Sequence, residues 1–360
     1  MKPPHSVSQK TAMSLRSLTV SASLLVTLLL SVPLVAGFFG AWHPAFDSFA
    51  HFRVHLAVLM GLAALPVLFS AWWGHGLVAL LLAAGAVASA LGVPALGIGP
   101  VHAGFQTRIN GAPSYTLMHL NLLYNNDQPE KALALVRDRR PDILLLSEAS
   151  DMWAQRLKDM LADYPYQLRC GRGTRLGGAA ILSRLPFSPD RRTQCSDNGR
   201  LAIAGVELGD RAMDVAALHV GWPWPADQAD EIARLSPLLS SLGTTAILAG
   251  DLNATPWSNA ARRVAAAGDL TLIRSPGPTW LFRWLPASLR PLVGLPIDHV
   301  YAKGDVVLHS GETLEEVGSD HLPILIEFSL PAVDPPSDDE IAVAALPSLE
   351  GSKDIRPGRY

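Results

Sequence analysis

Ala246-Ile247-Leu248-Ala249-Gly250-Asp251-Leu252-Asn253 is the stretch from which the fold can be read. An apolar run of this length, begun by Thr245 and ended by a glycine, reads as a strand buried on both faces. Polar side chains then follow at the strand end, where the backbone presents them at one edge of a sheet. The same arrangement recurs at five other places. His119-Leu120-Asn121 closes an expected strand over 115–121, and Leu146-Ser147-Glu148 closes the apolar run 142–147. Ala217-Leu218-His219 lies in an expected strand over 213–220, Ile297-Asp298-His299 opens one over 297–302, and Gly318-Ser319-Asp320-His321 precedes one over 322–328. Asn, Glu, Asp and His converging on one cleft make a site for a hard cation with acid and base groups beside it, which is what hydrolysis of a phosphate ester requires.

Further strands are expected over 166–170, 178–183 and 201–208. Helices are expected over 127–139, with Asp127 as cap and Pro129 in the first turn, and over 152–162, 226–242 and 258–267. Taken alone these elements define an α/β or α+β domain. The order of the six polar motifs resembles the endonuclease/exonuclease/phosphatase family, across residues 115–330. That resemblance implies a DNase I-like fold, an α/β four-layer sandwich with its active site where two sheets open.

Chemistry and resemblance together assign roles. Glu148 ends a buried strand with no apolar reason to be there; its plain alternative is a cap for the helix that follows. By resemblance it is the main ligand of Mg²⁺, with Mn²⁺ as a substitute, and Asn121 and Asp320 complete a sparse site that leaves room for water. Asp251 and Asn253 lie two apart, so an extended chain points both the same way. Asp251 then holds or deprotonates the attacking water, and Asn253 donates to a phosphate oxygen as charge builds there; an ordinary turn is the plain alternative for these residues. The resemblance implies that His321 contacts the phosphate, that Asp298 orients His321, and that His219 is a phosphate ligand or general acid. Gln228 matches a supporting position. His119 and His299 read as core residues.

The rest of the chain is different in kind. It has 360 residues, 49% of them hydrophobic. No Asp, Glu, Lys or Arg occurs over 17–46 or 54–107. Three transmembrane helices are expected, over 18–42, 54–73 and 76–99, each near the length that crosses a bilayer, with the last two joined by Gly74-His75-Gly76. Lys2, Lys10 and Arg16 precede the first span without an acid, so the N-terminal tail is expected in the cytoplasm. A cleaved signal peptide competes for the first span, but the region around Ala36 lacks the small-residue cleavage pattern and two more spans follow. The expected organisation is a cytoplasmic tail (1–17), a membrane anchor (18–100), a catalytic domain (101–330) and a disordered Pro-rich acidic tail (331–360). Three crossings place the catalytic domain outside a bacterial inner membrane, in the periplasm. Cys170 and Cys195 flank the strand over 178–183, and either a bridge or two separate thiols fits.

Residues 101–330 carry 22 basic and 25 acidic residues, without the basic excess usual in proteins that grip long nucleic acid. Arg169, Arg172, Arg175 and Arg184 surround a Gly-rich segment, either as an anion patch or as a solvated loop. Trp222, Trp224, Trp280 and Trp284 read as stacking or lipid-facing groups, or as packing. The expected function is a membrane-anchored, Mg²⁺-dependent phosphoesterase acting on nucleic acid or another phosphodiester. The alternatives are an enzyme for phospholipid head groups or small phosphodiesters, and a non-catalytic binding protein on the same fold.

Overall fold

The computed structural model describes residues 14–92, 103–108, 113–286 and 288–331. Lys2 and Lys10, the end of the third expected span (93–99) and residues 332–360 lie outside them.

The N-terminal part is helical: α1 (Leu15–Ala36), α2 (Pro44–His51), α3 (Arg53–Leu68) and α4 (Trp73–Leu91). Two helices, α1 and α4, are each long and apolar enough to cross a membrane, where the composition suggested three; a third crossing exists only if the bent pair α2–α3 counts as one span. The middle expected span is cut to 16 residues in α3, which meets α2 at a bend of 66°. The reason is local. The Ser70 hydroxyl donates to the Val67 carbonyl and accepts from the Trp72 amide, ending the helix at Leu68, five residues earlier than expected. Gly74-His75-Gly76, expected as the turn, therefore lies inside α4. Gly76 is needed there because a Cβ would sit 2.6 Å from the Leu68 backbone nitrogen.

α1, α3 and α4 pack side by side through Leu34, Ala57, Met60, Ala83 and Ala86, where the three alanines let the helices approach closely. They run up, down and up. Arg16 donates to the Phe69 carbonyl at one end, while Arg53 joins the Gly37 carbonyl and Ser89 at the other. The outer faces stay apolar and exposed, as at Val32 (64%). At the Arg53 end, α2 is fastened to the remainder of the chain. The Asp47 carboxylate accepts from the Asn259 and Ala260 amides at 2.7 and 3.0 Å, and Trp257 Nε1 donates to the Ala50 carbonyl. Those amides open α8 (Asn259–Gly268), where unpaired N–H groups and the helix dipole favour an anion. Asp47→Ala is expected to cost about 2 kcal/mol, as for a lost charged hydrogen bond, read as a lowered Tm of the full chain. An unchanged Tm would show that the clamp contributes nothing.

The C-terminal part holds two six-stranded sheets. One runs β11 (Val307–Thr313), β12 (Ile324–Ser329), β1 (Ser114–Asn121), β2 (Ile143–Ala149), β4 (Gly178–Ser183), β3 (Tyr166–Arg169). The other runs β5 (Gln194–Cys195), β6 (Leu201–Leu208), β7 (Arg211–His219), β8 (Ala246–Asp251), β10 (Asp298–Lys303), β9 (Thr271–Leu272). Strand alternation builds four layers from this. Leu117, Ile143, Leu145, Val215, Ala217, Ile247, Ala249, Val300 and Ile326 fill the space between the sheets. The alternate residues Met118, Leu144 and Leu146 pack outward with α5 (Pro129–Arg139) and α6 (Asp151–Asp159). Ala216, Ala246, Leu248 and Tyr301 do the same beneath α7 (Gln228–Ser240) and α8. β5, β9 and β11 were not expected from the sequence.

Cys170 and Cys195 are joined in a disulfide, Cα to Cα 5.6 Å, which ties the end of β3 to β5 across the two sheets. Closing a loop of this length stabilises a domain by about 3 kcal/mol. Cys170→Ser with Cys195→Ser is expected to lower the midpoint of denaturant unfolding accordingly, and reductant should do the same to the wild type only.

Candidate active site

The inward-facing rows decide where the polar residues meet. Leu117, His119 and Asn121 form one row on β1; Val215, Ala217 and His219 form another on β7. Ile247, Ala249 and Asp251 form a third on β8. β10 runs antiparallel to β8 with Asp298 opposite Asp251, so its row begins where the others end. Each row is apolar in mid-sheet and polar at the same edge. Gly250 allows this convergence, because a Cβ there would lie 1.9 Å from the Leu218 carbonyl oxygen of β7.

Glu148 departs from the alternation. On a regular strand it would face α5 and α6 with Leu146. The pairing of β2 with β4 shifts register between Leu146 and Ala149, and Glu148 takes a left-handed backbone at φ 56°. That conformation costs about 1–2 kcal/mol for a residue other than glycine. It turns the carboxylate into the cleft, where Glu148 Oε1 accepts from Asn121 Nδ2 at 3.1 Å and Oε2 from the Tyr124 amide at 2.8 Å. Asn253 is also left-handed, at φ 47°. The extended geometry expected for Asp251 and Asn253 is therefore replaced by a turn: the Asn253 amide donates to Asp251 Oδ1 at 2.7 Å, and Asn253 Nδ2 lies 3.3 Å from Asp251 Oδ2.

Asp251 Oδ2 is the focus. Asn121 Nδ2 donates to it at 2.9 Å, and Nε2 of both His219 and His321 stands 3.7 Å away. Glu148, His219 and Asp251 form one group able to hold a metal ion; Asp251, Asp298 and His321 form a second. The donor set fits a hard cation. It offers few carboxylates with an imidazole, buried where an ionised oxygen needs a positive partner; Asn121 turns its NH₂ to both carboxylates while its Oδ1 accepts from the Leu123 amide at 2.9 Å, so it braces the ligands. Asp320 joins neither group. It lines a surface recess with Gln128, Lys131, Arg283 and Arg290, and its main chain accepts from the Leu281 amide.

The two histidines differ electrostatically. His219 is held down at about 3, first by burial and then by Arg200. Arg200 Nη1 lies 3.1 Å from His219 Nδ1, and a guanidinium only donates, so Nδ1 accepts and the proton sits on Nε2. Burial opposes charge on His321 too, but Asp298 and then Asp251 outweigh it and raise it to about 10. His321 Nδ1 meets Asp298 Oδ2 at 2.7 Å. Burial pushes the Asp298 carboxyl up, yet His321 and His119 hold it well below the carboxylate range. Asp251 is raised to about 7, chiefly by burial, with His321 acting against the rise.

Several contributors escaped the sequence reading. His119, expected as a plain core residue, places Nε2 3.0 Å from Asp298 Oδ1. Thr279 Oγ1 accepts from the Ile297 and Asp298 amides, and Glu231 braces Arg200 at 3.3 Å. Arg200 lies beside His219 because Leu201 pairs with Leu218, a register that no local motif announces. Gln228 donates to the carbonyls of Gly221 and Leu252, holding the two loops on either side of Asp251 and His219. His299 points away from the cleft, onto the Ala254 carbonyl.

The Endonuclease/Exonuclease/phosphatase family model matches residues 118–321, the span from the strand carrying Asn121 to His321. The chain belongs to the endonuclease/exonuclease/phosphatase family. Members hydrolyse phosphoester bonds, and the acid and histidine cluster is this member's candidate metal site. Among solved structures, the endonuclease/exonuclease/phosphatase from Bacteroides vulgatus is 16% identical with TM-score 0.50, over 61% of this chain and 100% of its own. One from Beutenbergia cavernae is 19% identical with TM-score 0.48, over 61% and 72%. Staphylococcus aureus beta toxin, a structure with bound magnesium ions, is 16% identical with TM-score 0.46, over 61% and 100%. None of the curated proteins compared with the chain matches it.

Proposed function

We propose that this chain is a Mg²⁺-dependent phosphodiesterase of nuclease-like specificity, anchored in a membrane with its catalytic domain outside the cytoplasm. The observation that carries the chemistry is the meeting of Asn121, Asn253, His219 and His321 around one oxygen of Asp251. Glu148 would hold the cation, braced by the Asn121 amide, and the cation when bound supplies charge to the phosphoryl oxygens. Asp320, outside both groups, would act on the substrate side of the cleft rather than as a ligand. Asp251, raised towards neutrality, is matched to take a proton from the attacking water. His321, kept cationic by Asp298, and the Asn253 amide face the charge that builds on phosphorus. His219 presents its Nε2 proton to the leaving side and Arg200 fixes that tautomer.

Anchoring is supported by α1 and α4, and by the Arg16 end of the bundle lying opposite the catalytic part. The outward orientation requires the bent pair α2–α3 to serve as a crossing between α1 and α4, since two crossings would return the domain to the cytoplasm; it is supported by the opposition of the two ends, by the basic residue at the far end, and by the disulfide. Nucleic acid as substrate is supported by Arg175, whose guanidinium lies 5.7 Å over the Tyr124 ring, beside the amide that holds Glu148. A second reading, phospholipid head groups, is supported by exposed Phe282, Trp284, Leu289 and Leu292 on the segment leading to Asp298.

The test is hydrolysis by the full chain of single-stranded DNA, bis-p-nitrophenyl phosphate and phospholipid vesicles, with Mg²⁺ and with chelator. Metal-dependent cleavage of DNA and the small diester supports the first reading, and cleavage of lipid alone supports the second. No turnover by folded protein on any substrate would favour the binding-protein alternative.

A further inference from the structure

A second site lies where the helical bundle meets the catalytic domain. A groove of about 380 Å³ opens between the start of α3, the end of α4 and the segment before β10, lined by His51, Val54, Leu91, Trp257, Arg274 and Leu292 among others. None of the residues clustered around Asp251 lines it. Its walls are mostly apolar, but two features ask for an oxygen-bearing, anionic occupant.

The first is His51, which is fully buried. The Thr255 amide donates to its Nδ1 at 3.3 Å. A backbone N–H cannot accept, so Nδ1 is the acceptor and Nε2 carries the hydrogen. That Nε2 is buried with no hydrogen-bond partner. Buried donors are nearly always satisfied in folded proteins, and one left open calls for a ligand or water acceptor. The second is Arg274, exposed at the groove and making no hydrogen bond or ion pair among the described residues.

We propose that this groove binds one membrane phospholipid with an anionic head group. His51 Nε2 donates to an ester or phosphate oxygen, Arg274 pairs with the head-group charge, and Val54, Leu91, Trp257 and Leu292 enclose the first part of an acyl chain. The site rests on the anchored reading of α1 and α4: it lies at the ends of the helices, at the level where lipid esters meet water. Leu292, which lines the groove, is 71% exposed and leaves its rim apolar. A lipid here would bridge the anchor and the loop that follows Asn253, since Trp257 lines the groove and also holds Ala50.

The test is photo-labelling of the full chain in nanodiscs, with phosphatidylglycerol or phosphatidylcholine bearing a diazirine early in one acyl chain, followed by mapping of the labelled peptides. With phosphatidylglycerol, adducts are expected on residues 88–92 and 289–296, and also on the outer face of α1, which reports insertion. Phosphatidylcholine should label the groove less. Arg274→Glu, at an exposed position that leaves the fold intact, should lower groove labelling by phosphatidylglycerol about fivefold, the worth of one charged contact, while α1 labelling stays constant. Labelling of α1 without the groove, or groove labelling indifferent to Arg274→Glu and to the head group, would overturn the site. Absence of adducts on α1 as well would instead overturn the anchoring on which the site rests.

Discussion

Glu148→Gln is expected to reduce phosphodiester hydrolysis by about three orders of magnitude, the several kcal/mol that a bound cation supplies to a phosphoryl transition state. The substitution keeps volume and an oxygen that can accept from the Tyr124 amide, so the strained turn has its local partner and the fold should survive. What it removes is the negative charge facing Asn121 and the Asp251 carboxylate. Two measurements separate this from general damage. Mg²⁺ should raise the Tm of the wild type, because a ligand bound only by the folded state stabilises it, and should leave the variant unmoved. Wild-type rates in chelator should fall to the variant's level. A variant that keeps normal turnover, or still gains Tm with Mg²⁺, would remove Glu148 from the metal site.

Asp298→Asn is expected to lower kcat by up to about 10⁴, the drop that follows when a carboxylate orienting a catalytic histidine becomes an amide. Asp298 bonds both His321 and His119, so the amide must present its NH₂ to at least one ring and disturb that ring's orientation. It also removes the leading cause that holds His321 up at about 10. The alkaline limb of the pH–rate profile should therefore move to lower pH in the variant.

The sign for stability follows from the same shifts. His321 is raised, so its contribution is complete below its unfolded value near 6.5 and is lost as pH climbs through about 10. Asp298 is depressed, so its contribution is present above its unfolded value near 3.9 and is lost as pH falls below it. The pair should support folding most between about pH 4 and 6.5, and the variant should lose most stability in that window. An unchanged pH–rate profile with normal kcat would dissolve the relay.

Part of this was legible because strand alternation is a local rule. The row ending in Asp251 and the one ending in His219 can be read from apolar residues two apart, and the same rule places Asn121 and Asp298 at a strand end. His299 likewise sits in the core, where the sequence suggested, whereas the supporting position of Gln228 came from the resemblance alone. The disulfide was half legible, since two cysteines flanking a strand fit a bridge or two thiols until β3 and β5 were brought together.

The membrane spans were misjudged because composition reports apolarity and not where a hydrogen bond ends a helix: Ser70 stops α3 and Phe52 breaks it from α2. Asn253 was misplaced because a left-handed residue breaks the alternation that an extended reading assumes. Asp320 was placed with Glu148 by motif, and the turn before β12 instead directs it to the recess with Arg283 and Arg290.

The sequence by itself determined which strands are buried on both faces, which edge carries the polar ends, and that carboxylates and two histidines belong together there. Each follows from spacing within a single strand and from the cost of burying unpaired charge. Only the tertiary structure decided how Glu148 turns into the cleft, that Arg200 and His119 set the states of His219 and Asp298, and that Asp47 and His51 of the helical part reach the loop after Asn253. Those relations depend on register between strands and on contacts over some two hundred residues of chain, which no local pattern encodes.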